Sequence, residues 1–313
     1  MAKHVALGID IGGTNTAYGL VSRDGEVLME ESVGTGLFED PAELVEYIYQ
    51  RVHSTEHFNH ILGIGIGAPN GNVFSGNIEF APNLKWKGII PIATLFEDRF
   101  HRPSLLANDA NAAAIGEHLF GCARDLTDFV TITLGTGLGS GIFVNGELIV
   151  GHAGFAGEYG HIRVIPNGRL CKCGRKGCLE TYASSTGVTQ SITELNSENK
   201  ATSVLHTGNS AREVFQAAEK GDAFAIEIVD FTAQILGSSL ADFAAFSNPQ
   251  AYILFGGIAQ SGDAFAKKVK YYLEDNALKI YQNSIEIRIS DLHDKNAAVL
   301  GTAASLFWTA IKK

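Results

Sequence analysis

Positive charge is scarce in this chain. Its 313 residues include 24 lysines and arginines against 34 aspartates and glutamates, a formal net charge of −10 at pH 7. This negative charge opposes attraction to phosphate backbones, so nucleic acid is a poor candidate partner.

Long apolar runs are also missing. A helix needs about 20 apolar residues to cross a bilayer, and no uninterrupted run of that length occurs. We therefore expect no membrane partner.

The features of a secretory leader are missing too. A signal peptide has a basic start, an apolar stretch and small residues at a cleavage site. Here a strand-like run begins at residue 5 without any of these. We expect a cytoplasmic protein.

Proline is infrequent and glycine is abundant, with 7 and 35 residues respectively. Together with 45% hydrophobic and 19% charged residues, this composition is typical of an ordered α/β protein with many tight turns. A length of 313 residues fits two domains of about 150 residues each, which is ample for hydrophobic cores.

Cysteine is rare, but its placement is informative. Three of the 4 cysteines follow a histidine at the spacing H-x9-C-x-C-x4-C: His161, Cys171, Cys173 and Cys178. One imidazole nitrogen and three thiolates suit a closed, tetrahedral, structural Zn²⁺ site. Gly174 and Gly177 would let the short loop turn tightly. The alternatives are reduced thiols in a glycine-rich turn, or one disulfide with a spare cysteine.

Two segments of the chain share one pattern. Residues 4–33 are predicted to form a strand, a glycine-rich turn, a strand, a tight turn and a third strand. The pattern begins again near residue 129, at an offset of about 125 residues. Such a repeat predicts two similar domains that face each other across a cleft.

Helices and strands alternate elsewhere. Helical spacing of apolar residues marks 41–52, 107–121, 211–221, 222–247 and 296–311. Strand-like runs mark 61–69, 103–107, 251–255 and 286–290. The polar residues 194–209 are predicted to form a surface connection.

The two common phosphate-binding motifs are absent. The chain contains neither GxxxxGK[ST] nor GxGxxG between a strand and a helix. Phosphate contacts are instead predicted at the glycine turns: Asp10, Gly12, Gly13 and Thr14 in the first, and Gly135, Thr136 and Gly137 in the second. Glycine lets phosphate oxygens approach backbone N–H groups, and threonine adds a hydroxyl donor. Two facing turns of this kind could clasp a triphosphate.

Two further features near these turns are open to two interpretations. Asp10 either orients Mg²⁺ through water or caps the hairpin. Gly256 and Gly257 follow a strand, and they allow either a close approach of backbone to nucleotide or a simple strand-to-helix turn.

The segments DIGGTNT, LGTGLGSG, GEYGH and CKCGRKGCLE together resemble the ROK family of sugar kinases and repressors. The resemblance covers essentially the whole chain and implies an α/β fold of two actin-like (ribonuclease H-like) domains with an interdomain cleft. It implies a smaller domain of residues 1–110 completed by 297–313, and a larger domain of 111–296 with the zinc loop. It also implies transfer of the γ-phosphoryl group of ATP to a hexose, and it favours a homodimer.

The resemblance assigns roles to individual residues. Asp109 matches the catalytic base, although an aspartate before an alanine-rich run is also a common helix cap. The sugar ligands would be Asn83, Asn108, Asp109, Glu158, His161 and Glu180. In His161, one imidazole nitrogen would bind zinc while the other meets the sugar. Glutamates such as Glu158 and Glu180 are otherwise most often surface carboxylates.

The function favoured on these grounds is a glucokinase that phosphorylates the 6-hydroxyl group of glucose with ATP, Mg²⁺ and a structural Zn²⁺. Kinases for mannose, fructose, allose or N-acetylmannosamine share nearly all the other motifs. A sugar-responsive regulator is a further alternative, but the family's repressors carry an amino-terminal DNA-binding domain, and here the DIGGT motif begins at residue 10. A sugar-binding protein without kinase activity would not need both glycine turns.

Overall fold

A computed structural model describes residues 4–292 and 297–311. The strands, in chain order, are β1 (Val5–Ile11), β2 (Asn15–Ser22), β3 (Val27–Gly34), β4 (Ile61–Ala68), β5 (Ile78–Glu79), β6 (Ile89–Ile90), β7 (Ser104–Asn108), β8 (Phe129–Leu134), β9 (Leu138–Val144), β10 (Glu147–Leu148), β11 (Ala251–Phe255) and β12 (Glu286–Ile289). The α-helices are α1 (Pro41–His53), α2 (Ile92–Phe100), α3 (Asp109–Leu119), α4 (Glu180–Ala183), α5 (Ser185–Glu194), α6 (Ala211–Glu219), α7 (Ala223–Ser247), α8 (Asp263–Asn276) and α9 (Ala297–Ile311).

The chain divides into two compact units. Within the described residues, the first unit comprises 4–125, 148–157 and 297–311, and the second comprises 126–147 and 158–292. The expected boundary at 110 differs from this division. Residues 111–125 belong to the first unit because α3 packs along α9.

The first unit is built on a five-stranded sheet in the order β3-β2-β1-β4-β7. β1 is antiparallel to β2 and parallel to β4, and β4 is parallel to β7. The carboxy-terminal helix α9 packs closely on this sheet because the strands carry glycines beneath it. A Cβ on Gly8 would lie 2.3 Å from Val299 O, and one on Gly65 would lie 1.8 Å from Thr302 O.

The second unit is built on a five-stranded sheet in the order β10-β9-β8-β11-β12. β8 is antiparallel to β9, whereas β8, β11 and β12 run parallel. The arrangement is the same as in the first unit: two antiparallel strands joined at a glycine turn, then two parallel neighbours. The repeat predicted from the two glycine turns is therefore confirmed.

The core of the second unit includes the 25-residue helix α7. Among the described helices, α7 is the one that is long and apolar enough to cross a membrane, with a mean hydropathy of 1.3 over 18 residues. However, 56% of that window is buried inside the protein, and α7 packs against α4, α5, α6 and α8. Its apolar surface is explained by this packing.

Candidate active site

Three parallel strands of the first unit end side by side. Asp10 in β1 pairs with Gly67 in β4, and Ala68 in β4 pairs with Asn108 in β7. Asp109 follows at once as the first residue of α3. Because the carboxyl ends of neighbouring parallel strands meet at one edge of a sheet, Asp10, Asn108 and Asp109 share this edge.

The carboxyl groups of Asp10 and Asp109 are both perturbed. Burial raises the pKa of Asp10 to about 7, and the charge of Asp109 adds to the rise. Desolvation also raises the pKa of Asp109, against the opposing hydrogen bond from the Ala110 N–H. Asp109 is nevertheless exposed to water. Solvent therefore reaches Asp109, although desolvation disfavours its charged form.

Helix capping at the start of α3 falls chiefly to Asn108. Asn108 Oδ1 accepts a hydrogen bond from the Ala110 N–H at 2.9 Å and is the N-cap of the helix. Asp109 Oδ1 accepts from the same N–H at 2.8 Å, and its second oxygen is not needed for the cap. Asp109 can therefore take part in the cap and still present an oxygen to a ligand.

The first glycine turn is closed by its own backbone and by Thr35. The Gly12 N–H donates to Asn15 O at 3.0 Å, and Thr35 Oγ1 donates to Gly12 O at 2.8 Å. Gly13 lies against the loop that carries Asn83, since a Cβ on Gly13 would be 2.5 Å from Asn83 O. The structure thus brings the predicted phosphate turn and a predicted sugar ligand together.

The second glycine turn has the same kind of closure. The Gly135 N–H donates to Gly137 O at 3.1 Å. The start of α5 supports the turn, because the Ser185 N–H donates to Gly135 O at 2.8 Å and Thr186 Oγ1 donates to Thr136 O at 2.8 Å. All three turn residues are exposed.

Gly256 and Gly257 lie at the same edge of the second sheet as this turn. Phe255, the last residue of β11, pairs with Thr133 in β8. A Cβ on Gly256, whose φ is +99°, would lie 2.8 Å from Leu134 O. The backbone at 256 therefore approaches the strand end from which the second glycine turn begins.

The four residues predicted to bind zinc come together in the second unit. The ligand atoms of His161, Cys171, Cys173 and Cys178 all lie within 4.8 Å of one another. Cys171 Sγ is 3.6 Å from His161 Nδ1, and Cys173 Sγ is 3.6 Å from Cys178 Sγ. With Zn–S bonds of about 2.3 Å, the edges of a tetrahedron measure about 3.8 Å, so these separations fit one central zinc ion. None of the four cysteines, all in the described part of the chain, forms a disulfide.

Backbone geometry holds the cysteine loop in place. The Leu179 N–H donates to Ile162 O at 3.0 Å, which brings the segment after His161 beside Cys178. Gly174 and Gly177 have φ values of +85° and +82°, in the left-handed region that favours glycine. The two glycines that the sequence singled out therefore make the turns expected of them.

The thiols are not equivalent. Burial raises the pKa of Cys171 and of Cys178, and Cys171 also donates to Glu180 Oε1 at 2.9 Å. Burial acts in the same direction on Cys173, but hydrogen bonds led by the Arg175 backbone N–H lower its pKa to about 6. Zinc binds thiolates, so binding would remove the proton that Cys171 donates to Glu180.

Glu158 and Glu180 flank the imidazole of His161. Glu158 Oε2 lies 3.9 Å from His161 Nε2, and Glu180 Oε1 lies 3.7 Å from Nδ1. Because Nδ1 faces the thiols, Nε2 is the nitrogen left to meet a ligand on the side of Glu158. The predicted dual use of the two imidazole nitrogens is compatible with this geometry.

Sequence reasoning missed the residues that support the site from behind. The Arg169 side chain, 7% exposed, pairs with Glu194 at 2.7 Å. It also donates to Thr181 O at 2.7 Å and Gly187 O at 3.0 Å, which ties the cysteine loop to α4 and α5. Arginine is usually a surface residue, and its spacing here carries no local signal.

With this fold and these sites, the chain belongs to the ROK family, whose family model matches residues 6–309. The predicted actin-like, two-domain α/β fold is confirmed by its solved relatives.

Three relatives illustrate the similarity. A glucokinase of Halalkalibacterium halodurans is 35% identical, with 96% of this chain and 94% of the relative covered. The crystal structure of a ROK family glucokinase from Streptomyces griseus in complex with glucose and AMPPNP has a TM-score of 0.81 and 32% identity, covering 96% of this chain and 98% of that one. A xylose repressor of Caldicellulosiruptor bescii is 30% identical over 95% of this chain and 77% of the relative.

Proposed function

We propose that this protein is an ATP-dependent hexose kinase that phosphorylates glucose at the 6-hydroxyl group. The observation that carries the proposal is the sheet edge of the first unit, where the water-accessible Asp109 begins α3 beside the half-buried Asp10. A protein that only binds sugar needs hydrogen-bond partners for the sugar hydroxyl groups, but it does not need a carboxyl group of raised pKa at the start of a helix. The similarity to glucokinases supports glucose as the acceptor.

Asp109 is the general base of this reaction. Its carboxylate accepts a hydrogen bond from the 6-hydroxyl group and takes the proton as that oxygen bonds to the γ-phosphorus, while the bond from the γ-phosphorus to the ADP oxygen breaks. The raised pKa of Asp109 increases its affinity for the proton. The amino-terminal end of α3 stabilises the anion, so the group can ionise despite its desolvation.

Asp10 fits a role in holding Mg²⁺, because a carboxylate oxygen is a hard ligand. Its pKa is raised first by desolvation and then by the charge of Asp109, and a bound cation would offset both effects. When bound, Mg²⁺ neutralises charge on the phosphates. The nucleotide-binding residues are those of the three glycine segments: Gly12, Gly13, Thr14, Gly135, Thr136, Gly137, Gly256 and Gly257. In the two turns, the N–H groups of Gly12 and Gly135 are used for closure, so the following residues supply the donors to phosphate.

The sugar hydroxyl groups contact Asn83, Asn108, Glu158, His161 and Glu180 in this proposal. Carboxylates accept two or more hydrogen bonds and amides both donate and accept, which suits a ring of hydroxyls. A structural Zn²⁺ held by His161 and the three cysteines fixes the imidazole orientation, so that Nε2 is presented to the sugar. We include a cytoplasmic homodimer in the proposal, following the resemblance to the family.

A coupled ADP-release assay tests the function. Purified enzyme is supplied with ATP, Mg²⁺ and one of glucose, mannose, fructose, allose or N-acetylmannosamine, with sugar-free reactions as controls. We expect the highest kcat/KM for glucose and 6-phosphorylated product by NMR. A higher kcat/KM for another sugar would replace glucose by that sugar. No sugar-dependent ADP release, together with sequence-specific DNA binding, would favour a regulator, the second function found among its relatives.

A further inference from the structure

Gly137, in the second glycine turn, lies directly against the Glu180 side chain. A Cβ on Gly137 would be 2.9 Å from Glu180 Oε2, closer than Cβ atoms approach their neighbours in proteins. For Gly135 in the same turn, no atom of the described residues lies within 4 Å of the corresponding position. The two glycines therefore have different surroundings, although the sequence gives them one role.

The Glu180 carboxylate has little room to retreat from Gly137. Its other oxygen, Oε1, is 2.9 Å from Cys171 Sγ and 3.7 Å from His161 Nδ1. The side chain is 18% exposed, and it belongs to the first residue of α4. Arg169 holds the backbone of that helix through Thr181 O. The carboxylate is thus enclosed between the cysteine cluster and the glycine turn.

We propose that Gly137 is a positioning residue for Glu180. Because Gly137 has no Cβ, the Glu180 carboxylate can occupy the space beside it. A residue of the turn assigned to phosphate thereby sets the position of a sugar ligand. This inference rests on the proposed function, because Glu180 acts in it as a ligand of the sugar.

The kind of atom that meets the added methyl group decides what an alanine would do. At 137 the neighbour is the end of a flexible side chain, which can rotate away without moving the backbone. The fold is therefore retained while the carboxylate leaves its place. At 135 the methyl group enters open space and meets only what approaches the turn from outside, which in the proposed function is the nucleotide.

The test compares Gly137→Ala, Gly135→Ala and Gly36→Ala in the full-length, zinc-loaded enzyme. Gly36 lies outside the proposed site, with no described atom within 4 Å of its Cβ position, and controls for adding a methyl group to a turn. Glucose binding without nucleotide is measured by calorimetry, the KM values for glucose and ATP are measured separately, and thermal unfolding reports on the fold.

For Gly137→Ala we expect glucose binding, measured without nucleotide, to be weakened about ten- to a hundredfold, the effect of losing one hydrogen bond to a charged group. The KM for ATP can rise as well, because Gly137 also belongs to the turn assigned to phosphate, so glucose binding without nucleotide is the measurement that decides. Gly135→Ala is expected to raise the KM for ATP and leave glucose binding unchanged. Gly36→Ala should match the wild type in all measurements.

A second substitution separates steric displacement from other causes. Glu180→Asp shortens the side chain by one methylene group, so a methyl group at 137 has less to displace. The factor by which Gly137→Ala weakens glucose binding should therefore be at least about fivefold smaller in the Glu180→Asp background than in the wild-type background. Equal losses in both backgrounds, or unchanged glucose binding in Gly137→Ala, would overturn the inference alone. Wild-type enzyme that bound no sugar of the panel would overturn the proposed function and this inference with it.

Discussion

The two glycine turns begin as copies of one motif and differ in what lies against them. In the first unit, a Cβ on Gly13 would be 2.5 Å from the backbone oxygen of Asn83. In the second unit, a Cβ on Gly137 would be 2.9 Å from the carboxylate of Glu180. Both neighbours are predicted sugar ligands, so each turn adjoins one. A backbone neighbour fixes the geometry rigidly, whereas a side-chain neighbour can be displaced without unfolding.

The chemistry of the two units differs as well. The first unit concentrates carboxyl groups of raised pKa, Asp10 and Asp109, at one sheet edge. The second unit gathers thiols around one imidazole, flanked by Glu158 and Glu180. In the proposed function, proton transfer belongs to the first unit, and the second unit positions the sugar with a loop that zinc would hold. Substitutions in either unit test this division.

The largest effect is expected for Asp109→Asn in the first unit. An amide does not accept the sugar proton, so kcat should fall by about 10²- to 10⁴-fold, the usual contribution of a general base. Glucose binding and the unfolding temperature should stay near wild-type values, because the amide has nearly the same shape. Steady-state kinetics and calorimetry check this outcome, and turnover within tenfold of the wild type would contradict the role of Asp109.

The next effect concerns pH and Asp10. Its pKa is raised from 3.8 to about 7 in the folded protein, so the native state holds a proton that the unfolded state has lost. Stability is then fully present below pH 4 and falls as the pH rises to about 7, by up to about 4 kcal/mol at 1.36 kcal/mol per pKa unit.

Urea unfolding at several pH values without divalent cations measures this slope. Asp10→Asn should reduce the slope, because the amide does not titrate, and should leave the part that comes from Asp109, whose pKa is also raised. A wild-type slope equal to that of the variant would show that Asp10 titrates normally in the folded protein.

In the second unit, Cys178→Ser should remove the bound metal. After a chelator wash, we expect elemental analysis to find about one zinc ion per wild-type chain and far less in the variant. The free energy of unfolding of the variant should be about 3 kcal/mol lower than that of the wild type, since metal binding is coupled to folding. Cys122→Ser is measured in parallel, because Cys122 lies with Glu117 and Asp291 in a separate group that could hold a metal, and zinc lost only in Cys178→Ser belongs to the cluster of His161. If the wild type holds no metal and Cys178→Ser is as stable as the wild type, the cysteines are reduced thiols in a glycine-rich turn.

The smallest effect sharpens the comparison of the turns. Gly13→Ala should cost about 2 kcal/mol of stability, because its methyl group meets the Asn83 backbone and the loop must shift. Gly137→Ala should cost clearly less. Urea midpoints of the two variants, with Gly36→Ala as control, give the ranking, and the reverse order would contradict the distinction between backbone and side-chain neighbours.

Much of the fold could be predicted from local signals. The helix expected at 41–52 forms at Pro41–His53, where Asp40 and Glu43 make a capping box. The start of α7 follows Asp222, whose side chain accepts from the Ala225 N–H. The short helices α2 and α5 and the helix α8 were not predicted. In α8 the buried residues Phe265, Val269 and Leu273 recur at intervals of four, a helical spacing that is visible in the sequence, and the structure adds that this face packs on α7.

The sequence by itself determined the zinc-type cluster, the repeated glycine turns and the family, because these depend on residue types at short spacing and on backbone conformations that glycine allows. The tertiary structure alone decided that α3 belongs with the first unit, that Arg169 braces the cysteine loop, and that Gly137 adjoins Glu180. Those contacts join residues far apart in the chain. Their distances follow from the packing of whole helices and strands, which no local pattern specifies.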